Sequence, residues 1–242
     1  MLFWIIIFLT PIYIFSQDNN DELIVGINHT IQIPKGEMKN RFGNNSNLSG
    51  ILLYKTKNNL IFNAELGFMF GSNVKENNLF EAIDGNEGVL ISQNGEIPII
   101  RLFQRGGNID ISCGKYLPIN NKKHNGGLFF TIGTGYLYHK IFIETLTVEL
   151  PQLSEELLKG YDRLCGGFLT KQVLGYLYFN KKNNIRLMIG LEFVQAFTKD
   201  LREYNYTTQS NVTQKRTDYL LGLKTGFIIP IKQRTVERYY YY

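Results

Sequence analysis

The chain has 242 residues, 19% of them charged and 14% aromatic, with a formal net charge of +5. That length suits one β domain or a tight pair of domains. The basic excess is scattered through pairs such as Lys55/Lys57, Lys122/Lys123 and Lys181/Lys182. No Lys/Arg block tracks a helix face, so nucleic acid is excluded as a partner.

In chain order, residues Met1–Ser16 come first. Leu2 to Leu9 is unbroken apolar sequence, Pro11 and a second apolar patch follow, and Gln17-Asp18-Asn19-Asn20 breaks it. A run this short before a polar break reads as a secretory signal peptide cleaved after Ser16, leaving residues 17–242 as the mature domain. Beyond it no apolar run is long enough to cross a bilayer as a helix, so a membrane-spanning form of this chain must be a closed barrel.

Period-two alternation recurs through the mature chain, as half-buried strands require. Leu23–Ile33 sets Leu23, Val25 and Ile27 against Gly26 and Asn28. Gly50–Thr56 is a short strand of unclear phase. Leu60–Gly71 is the clearest: Leu60, Phe62, Ala64, Leu66, Phe68 and Phe70 on one face, Ile61, Asn63, Glu65, Gly67, Met69 and Gly71 on the other. Ile109–Leu117, Leu128–His139 and Gly167–Phe179 continue the series. In Ile185–Thr198 one face carries Ile185, Leu187, Ile189, Leu191, Phe193 and Phe197, the other Arg186, Gly190 and Glu192. Asp218–Ile229 closes it, with Leu221, Leu223 and Phe227 opposed to Gly222, Lys224 and Gly226.

The eight segments are joined by short and long connections in strict alternation. Lys57–Asn59, Pro118–Gly126 and Asn180–Asn184 are short and rich in turn residues. Pro34–Ser49, Ser72–Asn108, Lys140–Gly166 and Lys199–Thr217 are long. In an up-and-down barrel this gathers the short turns and both termini at one end and the long loops at the other. That is the plan of outer-membrane barrels, whose periplasmic turns are short and extracellular loops long.

Alternation alone does not say which face is outside. A soluble lipocalin-like periplasmic carrier alternates too, with its apolar face inward. The glycines argue for the membrane form. Gly67, Gly71, Gly133, Gly135, Gly190, Gly222 and Gly226 fall on the mixed face, where a narrow lumen needs small residues beside long charged ones. Glu65, Asp110, Lys171, Arg186, Glu192 and Lys224 share that face and are expected to pair as a lumen charge ladder, since an unpartnered buried charge is costly. The opposite face is expected to meet lipid. Tyr54, Tyr136, Tyr138, Tyr176, Tyr178 and Tyr219, near strand ends, are expected to form an interfacial aromatic girdle.

Several segments carry the likeness to a known group: the signal ending Ser16-Gln17; Lys159-Gly160-Tyr161-Asp162-Arg163-Leu164; the strand Gly190-Leu191-Glu192-Phe193 through Phe197-Thr198; and the last strand from Leu220-Leu221-Gly222 to Pro230, ahead of the aromatic end Tyr239–Tyr242. In these the chain resembles the small outer-membrane β-barrel proteins of Bacteroidetes-type bacteria, in the class of the OmpA and OmpX transmembrane domains. The resemblance implies an eight-stranded antiparallel barrel in the bacterial outer membrane, porin-like or adhesive, with an aromatic end read by the barrel-assembly machinery. It transfers no catalytic residue.

Little else carries chemistry. His29, His124 and His139 have no partners at metal-ligand spacing, and neither metal nor cofactor is expected. His139, near the outer end of its strand and facing the lumen, is read as a rim polar residue; the alternative is the base of a lipid-modifying enzyme. Cys113 and Cys165 form no disulfide framework and are read as free thiols. Leu150–Leu164 is the one helical-looking stretch, with Pro151 and Ser154 at its start and Gly160 at its end. It is expected as a loop helix capping the barrel, with Asp162 and Arg163 as a contact for an unidentified surface or secretion partner. The reading is a non-enzymatic outer-membrane barrel with outer-membrane lipid around it, acting structurally or through its loops.

Overall fold

The computed structural model describes residues 21–231, apart from 77, 82, 84–89, 91, 93–94, 120–125, 147–149, 151–152, 180–185 and 212–213. The signal segment, the aromatic end, His124 and two of the three short turns lie outside the described residues.

Eight strands close on themselves. They are β1 (Glu22–Gly36), β2 (Asn45–Lys55), β3 (Leu60–Gly71), β4 (Ile100–Pro118), β5 (Gly126–Thr145), β6 (Cys165–Phe179), β7 (Arg186–Asp200) and β10 (Lys215–Ile231). A two-stranded hairpin, β8 (Tyr204–Asn205) with β9 (Ser210–Asn211), sits in the loop between β7 and β10. Each barrel strand pairs antiparallel with its neighbours along the chain, and β1 pairs with β10 to seal the ring, for example Ile27 opposite Phe227 and Ile31 opposite Leu223. The molecule is therefore an eight-stranded up-and-down antiparallel barrel. Closure leaves the ring itself without an unpaired edge. No helix among the described residues is long and apolar enough to cross a membrane, so any crossing falls to the strands.

The strands outrun the sequence expectation at the long-loop end. β2 starts at Asn45 rather than Gly50, β4 at Ile100 rather than Ile109, and β5 runs on to Thr145 past His139. Above the Gln104–Ile141 pair, β4 and β5 rise alone as a two-stranded ribbon. The helical expectation needs correction as well. Among the described residues of Leu150–Leu164 the α-helix is the short α2 (Glu155–Leu158), with a 3-10 turn at Leu153 before it. The same end holds α1 (Met38–Arg41), which no sequence signal announced. Both are single turns, too short to persist without packing.

The alternation settles which way each face points. Leu66, Leu191 and Leu223 are 68%, 65% and 47% exposed on the outside of the ring, whereas Glu65, Glu192 and Lys224 are buried within it. The outer face carries a glycine too: Gly50 takes an outward position between Leu48 and Leu52. It also carries an exposed histidine, His29, between Ile27 and Ile31, whose carbonyl accepts the Thr225 hydroxyl.

Candidate functional site: a stratified lumen, a sealed cap and an apolar belt

The interior is built in three layers. At the short-turn end Ile24, Ile51, Leu53, Ile61, Tyr116, Phe129, Val173, Leu177, Met188 and Ile228 pack as one apolar cluster. These are inward positions of the same alternating strands. The sequence reading places Ile61 on this mixed face but weighs only its charges and glycines, so the apolar layer as a whole goes unrecognised.

The middle layer is polar. Lys224 Nζ bonds Glu65 Oε2 at 2.7 Å and Glu192 Oε2 at 2.8 Å. Lys171 Nζ bonds Glu65 Oε2 at 2.9 Å and also pairs with Asp110. Neutral donors complete the carboxylates: Ser49 Oγ donates to Glu65 at 2.7 Å, Gln32 Nε2 to Glu192 at 3.0 Å and Asn108 Nδ2 to Asp110 at 2.7 Å. Five of the six ladder residues are thus brought into one connected network with each ammonium between two carboxylates. The sixth is not. Arg186 faces inward at the short-turn end and forms a two-pronged pair with Glu22, at 2.6 and 2.9 Å. Glycine makes the room. A Cβ on Gly67 would sit 2.3 Å from Asn108 Oδ1 and 2.5 Å from Asn47 Oδ1, within hydrogen-bonded amides rather than space.

The top layer is apolar again and joins the loops. Met38 and Phe42 of the first long loop pack with Met69, Leu79, Leu137, Ile141, Leu153, Tyr161, Leu169 and Leu220. His139 lies beneath this lid and is 1% exposed. Its Nε2 is 3.3 Å from Asp218 Oδ2, which also accepts the Thr198 hydroxyl at 2.7 Å, and the Phe42 ring meets it edge-on at 5.6 Å. The strands continue past His139, so it is an interior residue and not the rim residue that the sequence suggested.

Ion pairs hold the lid. Glu76 is gripped by Arg41 at 2.9 Å and Arg163 at 3.2 Å. Asp162 takes a two-pronged pair from Arg202, at 2.6 and 3.1 Å. Arg216 pairs with Asp200 at 3.2 Å, and the Cys165 thiol donates to the same carboxylate. Burial pulls the Arg163 guanidinium below its usual value, and Glu76 opposes that pull. The Asp162 hydrogen bonds hold Arg202 above its own. Tyr161 meets Phe80 and Tyr206 in tilted ring contacts, with centroids 5.6 and 5.5 Å apart. Both charges singled out in the loop, Asp162 and Arg163, are thus engaged inside the cap.

Outside, the apolar residues form a belt bounded by aromatic rings. Tyr54, Phe62, Phe130, Tyr178 and Phe227 are exposed toward the short-turn end, and Phe68, Tyr136, Tyr138, Phe168 and Phe197 toward the long-loop end. Tyr176 and Tyr219 are half-buried in the same rings. On β3 the belt runs from Leu60 to Phe70. Ten steps of about 3.4 Å, tilted by about 40°, give a height of about 26 Å. A bilayer barrel's apolar band is about 25 Å tall.

No protein-family model and no curated protein matches the chain. Among solved structures, the outer membrane protein OprG from Pseudomonas aeruginosa is similar at 12% identity and a TM-score of 0.43, over 88% of this chain and 96% of that one. Ail, the attachment invasion locus protein of Yersinia pestis, is similar at 10% identity and 0.41, over 86% and 97%. The outer membrane protein AlkL, solved in lipid bilayers, is similar at 12% and 0.41, over 93% and 96%. The likeness is one of strand arrangement.

Proposed function

We propose that this chain is an integral outer-membrane barrel whose lumen is closed and whose work is done by its outer loops and its lipid-facing surface. The observation that carries this reading is the inversion of the barrel: a ring with no free edge that turns its aliphatic side chains outward and its charges inward. Water would make that arrangement unstable, and hydrocarbon requires it. A soluble carrier would need Leu66, Leu191 and Leu223 around an internal cavity. They lie on the outside, and the interior is occupied by side chains in all three layers.

The role proposed is structural or binding, not catalytic. His139 is buried against Asp218 and covered by Phe42 and the loop cluster, an arrangement that supports a structural role for it. Surrounding lipid and, during insertion, the barrel-assembly machinery are the partners of this reading. A surface or secretion protein meeting the capped loops is the further partner it allows, and Bacteroidetes-type bacteria are its proposed source. Fractionation tests the assignment. The protein should stay with outer membranes through high-salt and alkaline washes and migrate differently on gels before and after boiling. Release by salt, or one unchanging band, would overturn it.

A further inference from the structure

Just above the upper aromatic ring, the outer face holds two pairs of like charges set directly across a strand pair. Lys199 of β7 is opposite Lys215 of β10, and Arg105 of β4 is opposite Lys140 of β5. Such neighbours have Cβ atoms about 5 Å apart, and like charges there destabilise a sheet. Among the described residues neither Lys199 nor Lys215 has an ion-pair partner. The nearest acidic group on their own strands, Asp200, is turned to Arg216 and Cys165. Arg105 lies over the rings of Phe103 and Phe142, at 5.1 and 5.7 Å, and donates to the Gln104 backbone carbonyl, with no acidic partner among the described residues. Two cation pairs with no acidic partner among the described residues are an unfavourable way to build the outer wall of a barrel unless an anion is supplied there.

The Lys199–Lys215 pair overhangs a cavity of about 490 Å³ in the outer wall. Its floor is apolar, formed by Tyr136, Phe168, Phe197 and the backbone at Gly166. A Cβ on Gly166 would sit 2.6 Å from the Tyr136 hydroxyl and 3.0 Å from Leu201, so this glycine keeps the wall concave. Phe197 belongs to the belt and Lys199 stands two residues above it, about 7 Å along the strand. The cavity is therefore oily where acyl chains end and cationic where headgroups begin.

We infer that this cavity is a binding site for a phosphorylated lipid of the outer leaflet, with Lys199 and Lys215 clamping the phosphate and the Phe168–Phe197 floor receiving the start of its acyl chains. A phosphate oxygen between two ammoniums makes charge-assisted hydrogen bonds and removes the repulsion. The inference rests on the membrane assignment above.

The test uses the folded full-length barrel in detergent, titrated with diphosphorylated lipid A, with phosphatidylcholine, and with inorganic phosphate. Lipid A should bind saturably, phosphatidylcholine weakly and inorganic phosphate far more weakly. The double variant Lys199→Gln/Lys215→Gln should lose about tenfold or more in lipid A affinity, the worth of one or two charge-assisted hydrogen bonds. It should keep its heat-dependent gel migration, which shows that the barrel has formed. Lys199→Arg/Lys215→Arg should retain binding. Affinity unchanged in the Gln double variant would overturn the site. Inorganic phosphate binding as tightly as lipid A would overturn the lipid as its ligand. Flotation with phosphatidylcholine vesicles, scored separately, reports on the membrane assignment alone.

Discussion

Glu65 carries more of the interior than any other single residue. It accepts from Lys171, Lys224 and Ser49 within a layer shut off from water above and below. Glu65→Gln leaves two buried ammoniums short of a carboxylate, and breaking a buried pair from one side costs about 3–5 kcal/mol. We expect a loss of that size in urea unfolding of the vesicle-embedded protein. The double variant Glu65→Leu/Lys224→Met should lose less than the sum of its single changes. Leu191→Arg probes the other face. A cation in the middle of a lipid-facing belt costs about 2–4 kcal/mol, while the same change in a barrel bathed in water would be nearly neutral. These residues were legible in the sequence because the period of two separates them: Glu65 and Leu66 cannot share a face. The partners were less legible. Arg186 shares parity with the ladder, but it enters the lumen at the short-turn end, where Glu22 is the acid within reach. The depth of His139 was hidden because the lid above it comes from Phe42, almost a hundred residues earlier in the chain.

At the scale of the element, the strands in the belt could be read and their extensions could not. Leu60–Gly71 was found to the residue because lipid on one side and lumen on the other impose strict alternation. The β4–β5 ribbon above the barrel has Arg101, Phe103 and Arg105 on one side and Leu102 and Gln104 on the other. Outside hydrocarbon no solvent enforces a simple apolar–polar code, so this segment read as loop. The four-residue helices failed for a related reason. α1 and α2 are fixed by burial of Met38 and by loop packing around Leu153 and Leu158, not by propensity or caps. The lid's own anchors give a prediction. Glu76→Gln releases Arg41 and Arg163 together, and Asp162→Asn weakens the Arg202 pair. Combined, they should make the long loops several-fold more sensitive to added protease while heat-dependent gel migration of the barrel stays unchanged. Equal protease resistance in the variant would mean that the apolar cluster alone holds the lid.

For the molecule as a whole, closure follows from the register between β1 and β10, and the sealed lumen follows from eight strands enclosing only enough space for side chains. Planar-bilayer recordings should therefore show no large, stable channel. Long-lived conductance of porin size would require the middle layer to part. The claim that everything else depends on is that the outward face meets hydrocarbon, and the native cysteines offer a direct test. Cys113 is exposed on the outer wall beside Phe62 and Ile132, while Cys165 is buried in the cap. A nitroxide attached to Cys113 and carried into lipid bilayers should collide readily with dissolved oxygen and hardly at all with a water-soluble nickel chelate. Strong collision with the chelate would put the belt in water and contradict the account.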